Sequence, residues 1–347
     1  MEVRKIQKVG YSTLAVSLPK SWTKKMNLSA GDLISYSVGK DNVLKLLPGV
    51  TKVDTNSMAC MINADKCEDK NMVIRIVTGC YIVGYESITV RSANMLDVDI
   101  IQEVRTVVHN LMGVGIVEQD VKSIVLECFI DPNKFQIGTL LKRLFMVVNS
   151  MLEQAISALT DKNYTLTEEI KRMGDETDKI YALIVRQLLL SIGDDEVAKR
   201  TGIETIKNIA GDRVISKTIE DIGDEVEMIG HSIGTIIQNK LKIHSDIINS
   251  TIDIIKKTET FLNDMFNSFI NRDVAKSNEI LNKKTEIIEE CIKQEEILIV
   301  QKMDPVATLN ISKILWSINV IIKLSEIIPE VTINRVMETE NEFLVNS

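Results

Sequence analysis

The stretch that most constrains how this chain can fold runs from residue 215 to 233. Its apolar residues Ile215, Ile219, Ile222, Val226, Ile229 and Ile233 recur at alternating intervals of four and three, the spacing of a helix seam packed against other helices. Beside that seam Glu220, Asp224 and Glu227 fall at i, i+4 and i+7, which predicts one acidic row. Carboxylates stacked this way repel one another unless a cation or basic group answers them. Gly223 in mid-helix costs about 1 kcal/mol against alanine, so another element is expected to come close there. Asp175 and Asp178, on an earlier predicted helix, supply further carboxylates if the two helices are neighbours.

The helical signal is almost continuous from residue 136. Helices are expected at 136–161, 165–193, 203–240, 245–271, 273–302 and 305–335. The breaks at Asp161-Lys-Asn163, Gly193-Asp-Asp195, His244-Ser245, Asn271-Arg-Asp273 and Asp304-Pro305 each hold a capping or breaking residue. Short turns imply antiparallel neighbours and hence bundles. The two halves read as a worn repeat, with Asp161-Lys-Asn163 over Asn271-Arg-Asp273 and Ile215-Ser-Lys217 over Ile311-Ser-Lys313. In that register Trp316, Val320 and Lys323 replace Glu220, Asp224 and Glu227, so the second copy keeps the packing and loses the acids.

Glu220-Asp-Ile-Gly-Asp224, together with Asp175-Glu-Thr-Asp178 ahead of Ile180, Tyr181 and Arg186, resembles the PhoU family of phosphate-uptake regulators over about residues 134–336. The family's acidic E/D-x-x-x-D motif is matched except for its first acid, which falls on Gly174. The resemblance implies two three-helix bundles, at 134–240 and 245–337. It also implies a metal site, iron or zinc among the metals held, on Asp175, Asp178, Glu220, Asp224 and Glu227. Oxygen ligands suit Mg, Ca, Mn or Fe, a divalent or ferric ion, while the plainer reading is a solvated acidic rim. Di-iron catalysis is not expected, because the Glu-x-x-His pairs it needs are absent from a chain whose histidines are 109, 231 and 244.

Charge is distributed unevenly. Residues 1–53 hold nine Lys or Arg against three acids, a balance of +6, so the remainder carries −14 to reach the overall −8. A basic head on an acidic body directs any polyanion to the head. That head reads as strand, strand, short helix, strand, hairpin turn at Gly39-Lys-Asp-Asn42 and strand. It is too small to bury a core alone, and dimerisation is the usual remedy. Arg4-Lys-Ile-Gln-Lys-Val-Gly10, Ser17-Leu-Pro-Lys20 and Leu28-Ser-Ala-Gly-Asp32 resemble the SpoVT/AbrB swapped-hairpin DNA-binding domain over residues 1–50. The resemblance implies an interleaved dimer, and by motif it makes Arg4, Lys5, Lys8, Lys20, Lys24 and Lys25 the DNA contacts. A solvated lysine face is the plainer alternative.

Between head and body, residues 51–70 read as linker or loop and 70–132 as a small α/β connector. Strands are expected at 72–77 and 87–90, a helix at 97–111 and a strand pair at 113–117 and 122–130. Tyr81-Ile-Val-Gly-Tyr85 resembles a segment of archaeal proteins that join an AbrB-type head to a PhoU body. No G-x-G-x-x-G, P-loop or Ser/His/Asp set is present, so no catalytic role is expected. The five cysteines form no C-x-x-C pair, Cys60 and Cys67 being the nearest two, and read as reduced thiols in a cytoplasmic protein. With no long apolar run, no transmembrane helix is expected.

The chain therefore reads as multidomain: a small swapped-hairpin barrel head, an α/β middle and an all-α double bundle. The resemblances imply a DNA-binding regulator of phosphate uptake or phosphate-responsive transcription, acting as a homodimer. The alternative is an adaptor of a phosphate ABC transporter, or of its regulatory components, whose head only dimerises. A metal-dependent enzyme is the third reading and lacks a nucleophile and a base.

Overall fold

The computed structural model describes residues 3–38, 43–49, 58–131 and 134–344. It separates into two compact units, Met1–Ser57 and Met58–Ser347. In the first unit β1 (Gln7–Val9) and β2 (Thr13–Ala15) pair antiparallel, Gln7 opposite Ala15. Gly10 turns between them at a φ of +67° that favours glycine. A short helix, α1 (Lys20–Lys25), follows Pro19. A second hairpin pairs β3 (Ile34–Val38) with β4 (Leu44–Pro48); its expected turn at 39–42 lies outside the described residues. No described side chain of this unit is buried. Leu14 is 68% and Tyr36 73% exposed, so strands with apolar residues to bury have nothing within the unit to bury them against.

The second unit begins where a loop was expected. Residues 51–57 lie outside the description, but 59–63 form β5 (Ala59–Asn63), followed by a 3₁₀ turn at Ala64–Lys66. Then come α2 (Lys70–Val83), β6 (Ser87–Arg91), α3 (Val98–Asn110), β7 (Val114–Gln119) and β8 (Ser123–Cys128). The sheet order is β5-β6-β8-β7, with β5 parallel to β6 and the other pairs antiparallel. The strand expected at 72–77 is instead part of α2. Val73, Val77 and Tyr81 are buried at steps of four, a helical period that the β-branched composition disguised. The Asp69 carboxylate starts that helix by accepting the Met72 N–H at 2.7 Å.

The body consists of α4 (Ile137–Asp161), α5 (Tyr164–Gly193), short α6 (Asp195–Arg200), α7 (Ile206–Gln238), α8 (Ser245–Asn271), α9 (Val274–Val300), α10 (Pro305–Ser325) and α11 (Ile327–Val336). The repeat shows at its turns. Lys162 and Arg272 both adopt the left-handed conformation, and Asn163 and Asp273 each cap the next helix. The helix expected over 305–335 divides at Glu326, because Pro329 has no N–H for the Ser325 carbonyl. Helices α4, α5 and α7 pack together, as do α8, α9 and α10; α7 meets α10 and α4 meets α8. One apolar core runs through both sets, from Ile137 to Ile328. Phe145 stacks on Phe266 within it, centroids 4.2 Å apart. No helix among the described residues is long and apolar enough to cross a membrane.

Helix α5 also holds the α/β module. Ala182 enters the module's core. One turn on, the buried Arg186 guanidinium donates to the carbonyls of Tyr81, of Gly84 at 3.2 Å and of Tyr85 at 3.0 Å, at the end of α2. It also lies 5.0 Å from the Tyr81 ring centroid. One turn further, Leu190 fills the space beside Gly84, where a Cβ would meet its Cδ2 at 2.6 Å. Gly84 also has a φ of +115°, as a helix C-cap requires. The Tyr81-x-x-Gly-Tyr85 segment is thus the module's docking point on α5. Arg186→Met strips these carbonyls of their donor and is expected to cost about 2–3 kcal/mol, read as a lower urea midpoint. An unchanged midpoint would remove Arg186 as the tie.

Candidate acidic site and basic head

Every residue of the sequence-derived seam on α7 is buried, from Ile215 to Ile233. The seam can pack because α7 is thinned where its neighbours arrive. A Cβ at Gly223 would stand 3.3 Å from Val148 of α4 and 3.5 Å from Thr177 of α5. This close approach brings the α5 and α7 carboxylates into one electrostatic group. Glu220 is buried and Asp221 and Glu227 are half-buried, while Asp175, Asp178 and Asp224 keep an exposed side.

The departure at Gly174 has a geometric explanation. A Cβ there would lie 2.5 Å from a carboxylate oxygen of Glu227. The acid that α5 lacks at this position is replaced by one reaching across from α7, whose carboxylate a Cβ at residue 174 would displace.

The group is partly answered from within. Lys217 pairs with Glu220, and with Asp221 at 2.8 Å, and lies 5.5 Å from the Tyr181 ring centroid. Partial burial pulls the Lys217 pKa down, but the bonds to Asp221 and Glu220 outweigh it and leave it raised. Withdrawal from water pushes the Asp178 carboxyl above its ordinary range, and Asp224 and Asp175 add to the shift. Desolvation likewise raises Glu220, against the pull of Lys217, and Asp224 in the same way. Glu227 is raised by desolvation, then by Asp175 and Asp224. Glu220, Asp221 and Asp224 bring carboxylate oxygens within 4.8 Å of one another. Asp221 and Lys217 were missed from sequence, although Lys217 at i−3 and i−4 from these acids is a signal the helical spacing rule provides. His231, one turn after Glu227 on α7, is exposed.

In the head Arg4, Lys5, Lys8, Lys20, Lys24 and Lys25 are all exposed. Lys24 and Lys25 end α1, and the Arg4 guanidinium donates to Ser17 Oγ at 3.2 Å. Among the described residues no carboxylate pairs with the five lysines. All five cysteines are free thiols. The hydrogen-bond neighbour of Cys60 is Cys80 of α2, not Cys67, and burial followed by that bond pushes the Cys60 pKa up to about 12.

These units define a helical-bundle protein with an acidic helix pair, carrying an α/β module and a small basic two-hairpin domain. The PhoU domain matches residues 141–233, the stretch that holds the acidic group, and the antidote-toxin recognition MazE domain of bacterial antitoxins matches residues 7–54. The chain joins a PhoU domain to an AbrB/MazE-like N-terminal domain. Among solved structures it is similar to PhoU from Pseudomonas aeruginosa, with 17% identity and a TM-score of 0.50 over 58% of this chain and 96% of that one. It is similar too to the phosphate transport system regulatory protein PhoU from Streptococcus pneumoniae, with 13% identity and a TM-score of 0.50 over 58% and 94%. At these identities the likeness is one of fold. No curated protein matches the chain.

The raised carboxyls have a consequence for metal-free protein. Folded Asp178, Glu220, Asp224 and Glu227 keep protons that the unfolded chain has lost above about pH 4. Stability therefore falls as pH rises from that value through their raised pKa values. Asp65, Asp120 and Glu279, whose carboxyls are held low, lose their contribution only below that window. Thermal unfolding is expected at a higher midpoint near pH 5 than at pH 7. Asp224→Asn should stabilise the chain at pH 7 by about 1 kcal/mol or less, given its exposed side, and shrink the pH difference. A destabilised Asp224→Asn protein would show that the acids do not repel.

Proposed function

We propose that this chain is a DNA-binding regulator, acting in the cytoplasm, that controls phosphate uptake or phosphate-responsive transcription. The observation that carries the DNA half is the head: five exposed lysines that no carboxylate among the described residues answers, on strands with no core of their own. Interleaving with a second copy would bury those strands and bring both sets of cations into one assembly. The phosphate half is supported by the likeness of the helical body to the two PhoU structures, one of them from a protein described as a phosphate transport regulator. If about half of the dozen cations of a dimer touch phosphates, log K should fall with log salt at a slope of about −5. Lys24→Ala/Lys25→Ala should weaken all sequences alike and flatten the slope by about 1–2. Arg4→Ala should cost selectivity more than non-specific affinity, because a guanidinium can hold guanine bidentately. Full-length protein that binds no genomic fragment at low salt would transfer the case to a transporter adaptor whose head only dimerises. In sedimentation the intact chain should run as a dimer, and a monomer at micromolar concentration would contradict the interleaved head.

Metal binding is the proposed role of the acidic group. Glu220, Asp221 and Asp224, with Asp178 opposite, offer oxygen donors only, which fits a hard divalent or ferric ion. Lys217 holds two of those donors and would have to give way or stay beside the ion. Elemental analysis of protein prepared without chelator should find metal, and Asp224→Ala should lower it. Metal-free protein whose unfolding midpoint ignores added manganese or iron would end the proposal.

A further inference from the structure

The α8–α9 hairpin returns both its ends to one place. The loop after α7 at residues 239–244 and the loop before α10 at 302–304 line a cavity of about 490 Å³. That lies within the roughly 300–1,000 Å³ of small-molecule sites. Four lining residues are basic types, Lys240, Lys242, His244 and Lys302, and the one carboxylate among the lining is Asp304. That carboxylate is engaged in capping α10, accepting the N–H groups of Val306 at 2.8 Å and Ala307 at 3.2 Å.

The three cavity lysines make no ion pair among the described residues, so all three are available to a ligand. Their positions are set by the backbone. Lys240 takes a left-handed φ of +49°, and the Lys240 and Leu241 amides return to the Ile237 and Ile236 carbonyls, each at 3.1 Å. Helix α8 begins at the rim with His244 as its N-cap, whose side chain makes no bond to the first-turn amides. The partial positive charge of that helix end therefore adds to the lysines. Asp246, in the first turn of α8, opposes them but does not line the cavity.

We infer that this cavity binds a small anion with two or more phosphate groups, such as pyrophosphate or a nucleoside triphosphate, through Lys240, Lys242, Lys302 and the start of α8. Three lysines against one carboxylate already committed to a helix cap call for a multiply charged ligand. The site is independent of whether the head binds DNA.

The test is calorimetric titration of the full chain with orthophosphate, pyrophosphate and ATP at about physiological ionic strength. One pyrophosphate or ATP should bind per chain, more tightly than orthophosphate. Lys242→Glu/Lys302→Glu should weaken that binding by about tenfold or more, the scale of one charge-assisted contact, and Lys302→Gln should weaken it less. Lys24→Ala/Lys25→Ala in the head and Lys313→Glu, more than two turns along α10 from the cavity, should leave it unchanged. The inference falls if none of the three anions binds at millimolar concentration, or if orthophosphate binds as tightly as pyrophosphate. It falls equally if the cavity variants bind normally, or if the head or Lys313 variants lose binding to the same degree.

Discussion

Helix α7 has to bury a line of isoleucines and hold a row of carboxylates along the same length, and the arrangement of the body follows from satisfying both. Close contact with α5 and α4 is what buries Ile215 through Ile233. The same contact withdraws the neighbouring acids from water, which raises the free energy of their charged forms. The conflict is eased locally by Lys217 against Glu220 and Asp221, and by Gly174, which yields its Cβ volume to the Glu227 carboxylate. Asp212 near the start of α7 is answered by Arg335 of α11 at 2.6 Å, so that buried acid has a full counter-charge where the α5–α7 group has a fractional one.

The second half of the repeat shows the same scaffold without the conflict. Ile311 is as fully buried as Ile215, yet the positions that register with Glu220 and Glu227 carry an exposed Trp316 and an exposed Lys323. Packing of the seam does not require the acids. Their presence on α7 alone marks them as an addition to the scaffold rather than a part of what holds it together.

Much of this was legible in the chain because it depends on local spacing. The isoleucine seam, the acid row and the Asn163, Asp273 and Asp304 caps all follow from which side chains a helix places three or four residues apart. The failures have equally local causes. In α2, Val73, Ile74, Ile76 and Val77 are β-branched and mimic a strand, and only the burial of Val73, Val77 and Tyr81 reveals the period. Strand β5 is too short and too mixed in polarity to stand out, and it exists because β6 offers it a parallel edge. No spacing rule could have assigned Arg186 to Tyr81, Gly84 and Tyr85, since those groups meet only after α5 and the module have docked.

That docking gives α5 a mechanical character. Asp178 and Arg186 ride one uninterrupted helix, separated along its axis by roughly 12 Å, and Arg186 is fastened to backbone atoms rather than to a side chain that could swing. The helix is a strut clamped near its C-terminal end to the end of α2 and resting at its middle on a bed of like charge. A displacement of the charged stretch along the axis of α5 would be passed to α2 with little slack.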